Sequence, residues 1–326
     1  MLKTYFAAVL VSALLSLLTG FLVIPFLKRL KAGQQILNYV KEHKQKSGTP
    51  TMGGLFFIFA AVIVFLIFFK QFSRLAFVSI AIGAAYMIVG FLDDFIKIKF
   101  KNNKGLSAYQ KIIFQIIIAA IGGIYAYVNG LTYLVIPFFN ISVNLNLFIV
   151  PFAVFVFIAT TNSVNLTDGI DGLAGSVSLV FFIFLAVIIN TQSQAFNNAL
   201  NAGEYENLAL LCCCLSGALL GFLFFNANKA SVFMGDTGSL ALGGFISAVC
   251  ILSGNSLFIL IIGIMFVISS ISVIIQVFYF KKTGGKRIFL MSPLHHHFQQ
   301  KGHTEAKIVF VYTFITFLLG MLCIIF

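Results

Sequence analysis

The sequence contains five aspartates, and all of them fall in short polar gaps between long apolar runs. They are Asp93, Asp94, Asp168, Asp171 and Asp236 in a chain of 326 residues. A carboxylate close to a bilayer is costly unless it is paired, hydrated or bound to a cation. Carboxylate oxygens are also the ligands that hard cations such as Mg²⁺ prefer. The aspartates therefore predict a cation or phosphate site at a membrane face.

The first gap has the sequence Phe91-Leu-Asp-Asp-Phe-Ile-Lys97. If a helix continues through it, Lys97 lies three and four residues after Asp94 and Asp93, on the same face as both. Such a cluster could hold Mg²⁺ and a diphosphate together. The alternative is an anchor at the membrane interface, in which Lys97 only neutralises a carboxylate.

The second gap begins at Asn162 and carries Asn165, Asp168 and Asp171 among glycines. Asp168 and Asp171 are one helical turn apart, and the glycines let a backbone approach a ligand closely. A purely structural turn with a capping Asn or Thr is the alternative. The glycine spacing fits neither a Walker loop nor a dinucleotide-binding fold.

A third gap holds Asn226, Phe233 and Asp236. Asp236 stands between glycines and leads straight into an apolar run, which favours a metal ligand over a simple cap. Phe233 offers a flat surface on which a nucleobase could stack, although a lipid or core contact is the commoner role of a phenylalanine.

The fourth gap contains three consecutive histidines, His295, His296 and His297. Their side chains diverge and no carboxylate is adjacent to them, which disfavours a shared metal ion. We expect them to hydrogen-bond to phosphate or sugar instead.

The apolar runs that must position these residues predict an all-α polytopic integral membrane protein. Hydrophobic residues make up 60% of the chain and charged residues 9%, whereas soluble domains contain about half and about a quarter. Crossing about 30 Å of hydrocarbon takes about 20 helical residues. Ten runs approach this length, of which 147–161 and 239–253 are short for a full crossing. The predicted spans are approximately 4–26, 52–69, 75–92, 112–128, 147–161, 173–189, 208–225, 239–253, 257–280 and 307–326.

The distribution of basic residues predicts the orientation of these spans. With ten crossings, the gaps at 27–51, 93–111, 162–172, 226–238 and 281–307 share one side and hold 18 of the 21 lysines and arginines. Basic loops stay cytoplasmic. We therefore expect five cytoplasmic loops, both termini outside, and one transmembrane domain over 1–326. A basic face suits anionic lipid, and we do not expect nucleic acid as a partner.

Two of the outward gaps have a distinct pattern. In 129–146, Ile141, Val143 and Leu145 alternate with polar residues, which predicts a small exposed β-hairpin. The stretch 190–207 is rich in asparagine and is predicted to be a solvated loop.

Five segments occur in an order that resembles a known enzyme family. They are Gly48-Thr-Pro-Thr-Met-Gly-Gly54, Asp93-Asp94, Asn165-Leu-Thr-Asp168-Gly-Ile-Asp171-Gly, Gly235-Asp236-Thr-Gly238 and Ser292-Pro-Leu-His-His-His297. Over essentially the whole chain they resemble the phospho-N-acetylmuramoyl-pentapeptide-transferase family of the polyprenyl-phosphate N-acetylhexosamine-1-phosphate transferases. The first and last segments favour this branch over relatives that transfer N-acetylglucosamine phosphate.

The resemblance implies transfer of phospho-MurNAc-pentapeptide from UDP-MurNAc-pentapeptide to undecaprenyl phosphate. The products would be lipid I and UMP, the cofactor Mg²⁺, and the location the cytoplasmic face of the bacterial cell membrane. By the same resemblance Asp236 binds Mg²⁺, while Asp93, with Asp94 beside it, deprotonates or orients the lipid phosphate. Whether Asp93 is a base or a covalent nucleophile stays open.

The resemblance also implies a set of donor-site residues. Phe233 and Gln276 are expected near the uracil. Lys104 is close enough in the sequence to Lys111 to be the alternative donor-site lysine. The implied residues are Lys46, Thr51, Lys97, Lys111, Asn165, Asp168, Asp171, Asn226, Phe233, Gln276, His295, His296 and His297.

Three other classes are compatible with parts of this pattern. A polyprenyl-phosphate GlcNAc-1-phosphate transferase would use similar aspartates. A cation-coupled transporter would place its carboxylates near the bilayer midplane in broken helices, whereas these lie in gaps on one face. A membrane prenyltransferase would bind a diphosphate through Mg²⁺ and release pyrophosphate. The sequence does not fix the oligomeric state, for which a homodimer is one candidate.

Overall fold

The computed structural model describes residues 1–29, 48–100, 105–139, 141–195 and 199–325. These residues form a bundle of α-helices with one two-stranded antiparallel sheet. In chain order the elements are α1 Leu2–Arg29, α2 Gly54–Phe68, α3 Arg74–Lys99, α4 Ala108–Val128, β1 Tyr133–Ile136, β2 Ile141–Asn144, α5 Ile149–Thr167, α6 Leu173–Gln194, α7 Ala199–Asn226, α8 Gly235–Leu252, α9 Phe258–Ile261, α10 Ile264–Lys282, α11 Leu294–Gln300 and α12 Glu305–Ile325.

The predicted class, an all-α polytopic membrane protein, is confirmed. Within the described ranges, nine helices are long and apolar enough to cross a membrane, and α2 is a shorter apolar helix of 15 residues. Each of the ten predicted spans corresponds to one of these helices. The two short runs, 147–161 and 239–253, correspond to α5 and α8, which extend beyond the apolar stretch at one end.

The predicted span 257–280 is interrupted, which corrects the expectation of one continuous helix. The chain forms the short helix α9, turns at Gly263 and continues as α10. Glycine is a poor helix former, and a Cβ at Gly263 would lie only 2.6 Å from the carbonyl oxygen of Ile259. The close approach at this turn therefore suits a residue without a side chain.

The predicted solvated loop at 190–207 is wrong over most of its length. Helix α6 continues to Gln194 and α7 already begins at Ala199. The polar side chains there are held by tertiary hydrogen bonds, such as that from the Tyr5 hydroxyl to Asn190 at 3.1 Å. Loss of hydropathy marks the end of an apolar segment, but a helix can continue past it.

The predicted β-hairpin is confirmed. Strands β1 and β2 pair antiparallel, with Tyr133 opposite Asn144 and Ile136 opposite Ile141. The backbone N–H of Val135 also donates to the carbonyl of Gly254 at 2.9 Å. The hairpin is thereby attached to the chain just beyond the end of α8.

Helix α8 lies at the centre of the bundle. In its apolar stretch 89% of the residues are buried, compared with 28% in each of α1, α4, α10 and α12. It packs mainly against α3 and α5. The gaps that carry the aspartates meet around the N-terminal end of α8, so the most enclosed helix of the bundle supports the candidate site.

Candidate active site

The end of α3 and the start of α8 are in direct backbone contact. A Cβ on Gly90 of α3 would overlap the backbone of Asp236. The start of α2 approaches α8 in the same way, since a Cβ on Gly54 would overlap the backbone of Gly238. Glycine at both positions permits this approach. The contact brings the last turns of α3, which carry two aspartates, beside the third aspartate on α8.

Three carboxylates converge at this contact. Asp93, Asp94 and Asp236 each offer an oxygen atom, and these atoms all lie within 4.8 Å of one another. Asp93 and Asp94 are buried and Asp236 is partly buried. Clustered carboxylate oxygens are the donor set that suits a hard divalent cation, so the described residues contain a candidate metal site.

The carboxylate of Asp94 caps the N-terminus of α8. It accepts hydrogen bonds from the backbone N–H and the hydroxyl of Thr237, at 3.0 and 2.7 Å, and from the backbone N–H of Asp236 at 3.3 Å. A carboxylate at this position satisfies unpaired N–H groups and complements the helix dipole. Asp94 therefore fixes the start of α8, and with it Asp236, against α3.

Two lysines neutralise the other two carboxylates. Lys97 Nζ lies 3.1 Å from Asp236 and also contacts Asp93, as its spacing on α3 predicts. Lys111 Nζ, at the start of α4, lies 2.6 Å from Asp236 and 3.0 Å from Asp93. The backbone N–H of Leu106 donates to the same Asp93 oxygen as Lys111, at 2.7 Å. Three carboxylates and two ammonium groups form one charge network.

The loop between α5 and α6 borders this network. Asn165 lies in the last turns of α5 and donates to Asp236 and to Ser239, both at 2.8 Å. Burial, followed by the negative charges of Asp236, Asp94 and Asp171, raises the pKa of Asp168 to about 8. A cation among the aspartates would oppose those charges and favour the ionised form of Asp168.

Asp171 and Asn226 join two of the predicted loops. Asp171 accepts from the backbone N–H of Ala230 at 2.9 Å. Asn226 accepts from the N–H of Gly172 at 3.1 Å and donates to the carbonyl of Val232 at 2.9 Å. These contacts hold the α5–α6 loop against the α7–α8 loop, so both side chains organise the site.

The segment before α2 pairs with the segment before α8. Phe233 donates its N–H to the carbonyl of Pro50 at 2.8 Å and accepts from Gly53 at 2.9 Å. Thr51 is buried beside Gly235, next to the aspartates. Phe233 remains partly exposed at the edge of the site.

Helix α11 carries the three histidines to the same end of the bundle. His295 is buried, and a Cβ on Gly169 would overlap its Nε2 atom. His296 Nδ1 lies 2.6 Å from the side-chain oxygen of Gln299. His297 Nδ1 instead accepts from the backbone N–H of Leu290 at 3.1 Å, and partial burial together with the nearby charge of Lys301 lowers the pKa of His297.

Gln276 holds the loop that leads into α11. Its side-chain oxygen accepts from the N–H groups of Ile288 and Phe289 at 3.1 and 2.9 Å, and its amide nitrogen donates to the carbonyl of Phe289 at 3.2 Å. The structure therefore places both polar atoms of Gln276 on the backbone. Two lysines considered for the donor site, Lys46 and Lys104, lie outside the described residues.

Known proteins match this chain over nearly its full length. A model described as Glycosyl transferase family 4 matches residues 75–254, and Phospho-N-acetylmuramoyl-pentapeptide-transferase signature 1 matches residues 46–58. The phospho-N-acetylmuramoyl-pentapeptide-transferase of Clostridium novyi (strain NT) is 46% identical over 318 residues, which cover 97% of this chain and 94% of the relative. This chain belongs to the phospho-N-acetylmuramoyl-pentapeptide-transferase family.

Other members of the phospho-N-acetylmuramoyl-pentapeptide-transferase family are similar to the same extent. That of Clostridium perfringens (strain 13 / Type A) is 45% identical, covering 95% of this chain and 94% of the relative. That of Caldanaerobacter subterraneus subsp. tengcongensis is 42% identical, covering 97% of this chain and 96% of the relative. The predicted resemblance is confirmed, and the comparisons favour neither the transporter nor the N-acetylglucosamine branch.

Several contacts of the site were not predicted from the sequence. Thr237, which binds Asp94, gave no signal because a threonine after an aspartate is an ordinary helix start. Gln299 contacts His296 and donates to Glu305, and the spacing of three residues between His296 and Gln299 on one helix was a usable signal. Glu305 is one of only nine acidic residues, so its rarity was a second signal.

Replacing Gly90 with alanine is expected to lower both stability and transferase activity. The added methyl group overlaps the Asp236 backbone, so α3 and α8 must separate. Overpacking of this kind costs about 1–3 kcal/mol. Melting temperature and activity of the detergent-solubilised protein measure the two effects.

The matched control is Gly122→Ala in α4, where the new Cβ would lie 3.1 Å from the ring of Phe157, a milder contact than the backbone overlap at Gly90. We expect it to have the smaller effect. A Gly90→Ala protein with unchanged melting temperature and activity would show that the backbone contact does not set the aspartate geometry.

Proposed function

We propose that this chain transfers phospho-MurNAc-pentapeptide from UDP-MurNAc-pentapeptide to undecaprenyl phosphate, which forms lipid I and UMP. One observation carries the proposal beyond family membership. Asp93, Asp94 and Asp236 meet Lys97 and Lys111 at the ends of membrane helices. A soluble nucleotide donor and a membrane-bound acceptor can meet only at such a boundary. Phosphoryl transfer relies mainly on positioning and on neutralisation of charge, which these groups provide.

Mg²⁺ is the proposed cofactor, and the aspartate oxygens fit it as hard ligands. When bound, it would neutralise the donor diphosphate. We assign the ligand role to Asp236, whose second oxygen is oriented by Asn165. Lys97 and Lys111 each bridge Asp236 and Asp93 and can turn towards the phosphate oxygens without leaving the cluster.

Asp93 is proposed to act on the lipid phosphate. Leu106 and Lys111 hold one of its oxygens, and Lys97 contacts the other. In direct transfer, a lipid phosphate oxygen bonds to the sugar-linked phosphorus of the donor, the diphosphate bridge breaks and UMP leaves. Asp93 would take the proton of the lipid phosphate or orient it.

The remaining donor-site residues are proposed to act in two ways. Direct contact with the donor is assigned to some, and positioning of the surrounding loops is assigned to others, namely Asp171, Asn226 and Gln276. The residues assigned to direct contact are Lys46, Thr51, Lys97, Lys111, Asn165, Asp168, Phe233, His295, His296 and His297.

The proposed location is the bacterial cell membrane, with the site on the cytoplasmic face of one transmembrane domain over 1–326. The outward position of both termini is proposed, and for the N-terminus it is supported by the start of α1. There the Tyr5 hydroxyl contacts Asn190, at the end of α6 far from the aspartates. The proposed partners are the nucleotide donor, undecaprenyl phosphate and the bilayer, and a homodimer stays a prediction.

The test is an assay of the purified protein with UDP-MurNAc-pentapeptide and undecaprenyl phosphate, with and without Mg²⁺. We expect lipid I and UMP to appear together and only when the metal is present. UDP-GlcNAc in place of the donor should give no product. Equal turnover of UDP-GlcNAc, or release of pyrophosphate in place of UMP, would contradict the proposal.

A further inference from the structure

We propose that Gln299 and Glu305 are positioning residues that fix a proton on Nδ1 of His296. The inference concerns the internal hydrogen bonds of this chain, and its kinetic consequence rests on the proposed function. Neither residue belongs to the sets assigned above to the metal or the donor.

A continuous hydrogen-bond chain joins three segments of the site. The amide nitrogen of Gln299, which is buried, donates to Oε1 of Glu305 at 3.2 Å, and its oxygen lies 2.6 Å from Nδ1 of His296. The second oxygen of Glu305 accepts from the backbone N–H of Asp171, a longer contact of 3.4 Å. The first turn of α12 is thus linked through α11 to the α5–α6 loop.

The carboxylate at the end of this chain decides which way the amide faces. Ionised Glu305 can only accept hydrogen bonds, so the Gln299 group that faces it must be the NH₂. The reversed amide would set one acceptor oxygen against another. With its nitrogen engaged, Gln299 presents its oxygen to His296, and an oxygen can only accept. Nδ1 of His296 must therefore carry a hydrogen.

The neighbouring histidine has the opposite arrangement. His297 Nδ1 accepts a hydrogen bond from the N–H of Leu290, so the proton of the neutral ring is on Nε2. Consecutive histidines are thus held in different tautomers by different partners. The Nε2 edge of His296 lies at Gly169, 3.1 Å from where a Cβ on that residue would be. The proton on Nδ1 makes this edge a hydrogen-bond acceptor in the neutral ring, next to the loop that carries Asp168.

An exchange of the two side chains tests the inference. In Glu305→Gln, one oxygen that faces a donor is replaced by an NH₂ group. In Gln299→Glu, two carboxylates face each other. The double variant restores the three contacts described above. The glutamine introduced at position 305 would accept from the N–H of Asp171 and donate to the glutamate introduced at position 299, which would accept from His296. A double-mutant cycle measures this recovery.

In the kinetic experiment, we expect each single variant to raise KM for UDP-MurNAc-pentapeptide by about 10-fold. This is the lower end of the effects seen when a residue that orients a site side chain is replaced. The double variant should return to within about threefold of the wild type, while KM for undecaprenyl phosphate stays constant throughout. The matched control is Gln300→Glu, an exposed neighbour on α11, which should leave both constants unchanged. Single variants with wild-type donor KM would overturn the inference.

A second experiment measures the protonation of the histidine rings directly and needs no substrate. Solid-state ¹⁵N NMR of histidine-labelled protein in lipid reports the protonation of each ring nitrogen, and His296→Asn identifies the His296 signals. We expect a protonated Nδ1 in the wild type, in Gln299→Glu and in the double variant, because a carboxylate at position 299 also only accepts. In Glu305→Gln the amide of Gln299 can reverse, so we expect a loss of this preference there. An unprotonated Nδ1 in the wild type overturns the proposal. Because this result is independent of turnover, it is distinct from a failure of the proposed function.

Discussion

Replacing Asp236 with alanine is expected to reduce lipid I formation by at least ~10³-fold, the range seen when a group that stabilises developing charge is removed. Asp236 contacts both lysines and Asn165, and it lies at the start of the most buried helix. Its loss removes the proposed metal ligand and one shared partner of Lys97 and Lys111. The measurement is UMP release at saturating Mg²⁺, with Mn²⁺ binding followed by electron paramagnetic resonance.

The protein should remain folded after this change. Asp94, and not Asp236, binds the first N–H groups of α8, and both lysines keep Asp93 as a partner. A melting temperature close to that of the wild type is therefore expected. An Asp236→Ala protein that is folded and active, or that binds Mn²⁺ as the wild type does, would remove Asp236 from the metal role.

Replacing Asp93 with asparagine is expected to cost at least ~100-fold in turnover if the carboxylate moves a proton, which is within the usual range for such groups. An asparagine keeps an oxygen for the N–H of Leu106 and preserves the volume, and Lys97 keeps Asp236 as a partner, so the fold should survive. The matched variant is Asp94→Asn, which places an NH₂ group against the donors of Thr237. Asp94→Asn should lower the melting temperature as well as the activity.

The size of the Asp93 effect separates the possible roles. A loss of less than threefold would indicate a structural carboxylate. A burst of UMP in the absence of undecaprenyl phosphate would support a covalent phospho-aspartate route, because UMP would leave before the acceptor arrives. Absence of a burst, together with a large loss in Asp93→Asn, supports direct transfer with Asp93 as the base.

The sequence was sufficient to predict local relationships within the site. The spacing of Asp93, Asp94 and Lys97 follows from helical geometry, and the structure brings Lys97 into contact with Asp93. Nine of the ten apolar runs also matched one helix each, and the run 257–280 matched α9 and α10, because length and hydropathy are properties of a segment by itself. Helix ends were less accurate, since α3 continues to Lys99 and α7 begins at Ala199, beyond the apolar runs that predicted them.

Long-range partners could not be predicted in the same way. Asp94 binds Thr237, 143 positions away, and Asp171 approaches Glu305, 134 positions away. Such pairs depend on how the helices pack, which a single sequence does not encode in its local pattern. Gln276 illustrates the result, because the family resemblance implied a position near the uracil, while in the structure its amide holds the loop at 288–289.

The attachment of α8 at both ends has a consequence for how a lipid substrate enters. One end is bound to α3 through Asp94 and the contact at Gly90, and the other is followed by Gly254, to which the hairpin is attached. A long-chain lipid that enters from the bilayer contacts the outer helices first. The weakly buried outer helices α1, α10 and α12 can move at lower cost than α8, whereas α4, although weakly buried, carries Lys111 of the charge network. We therefore expect the proposed metal ligand Asp236 to keep its position against Asp94 while the proposed lipid acceptor enters and leaves.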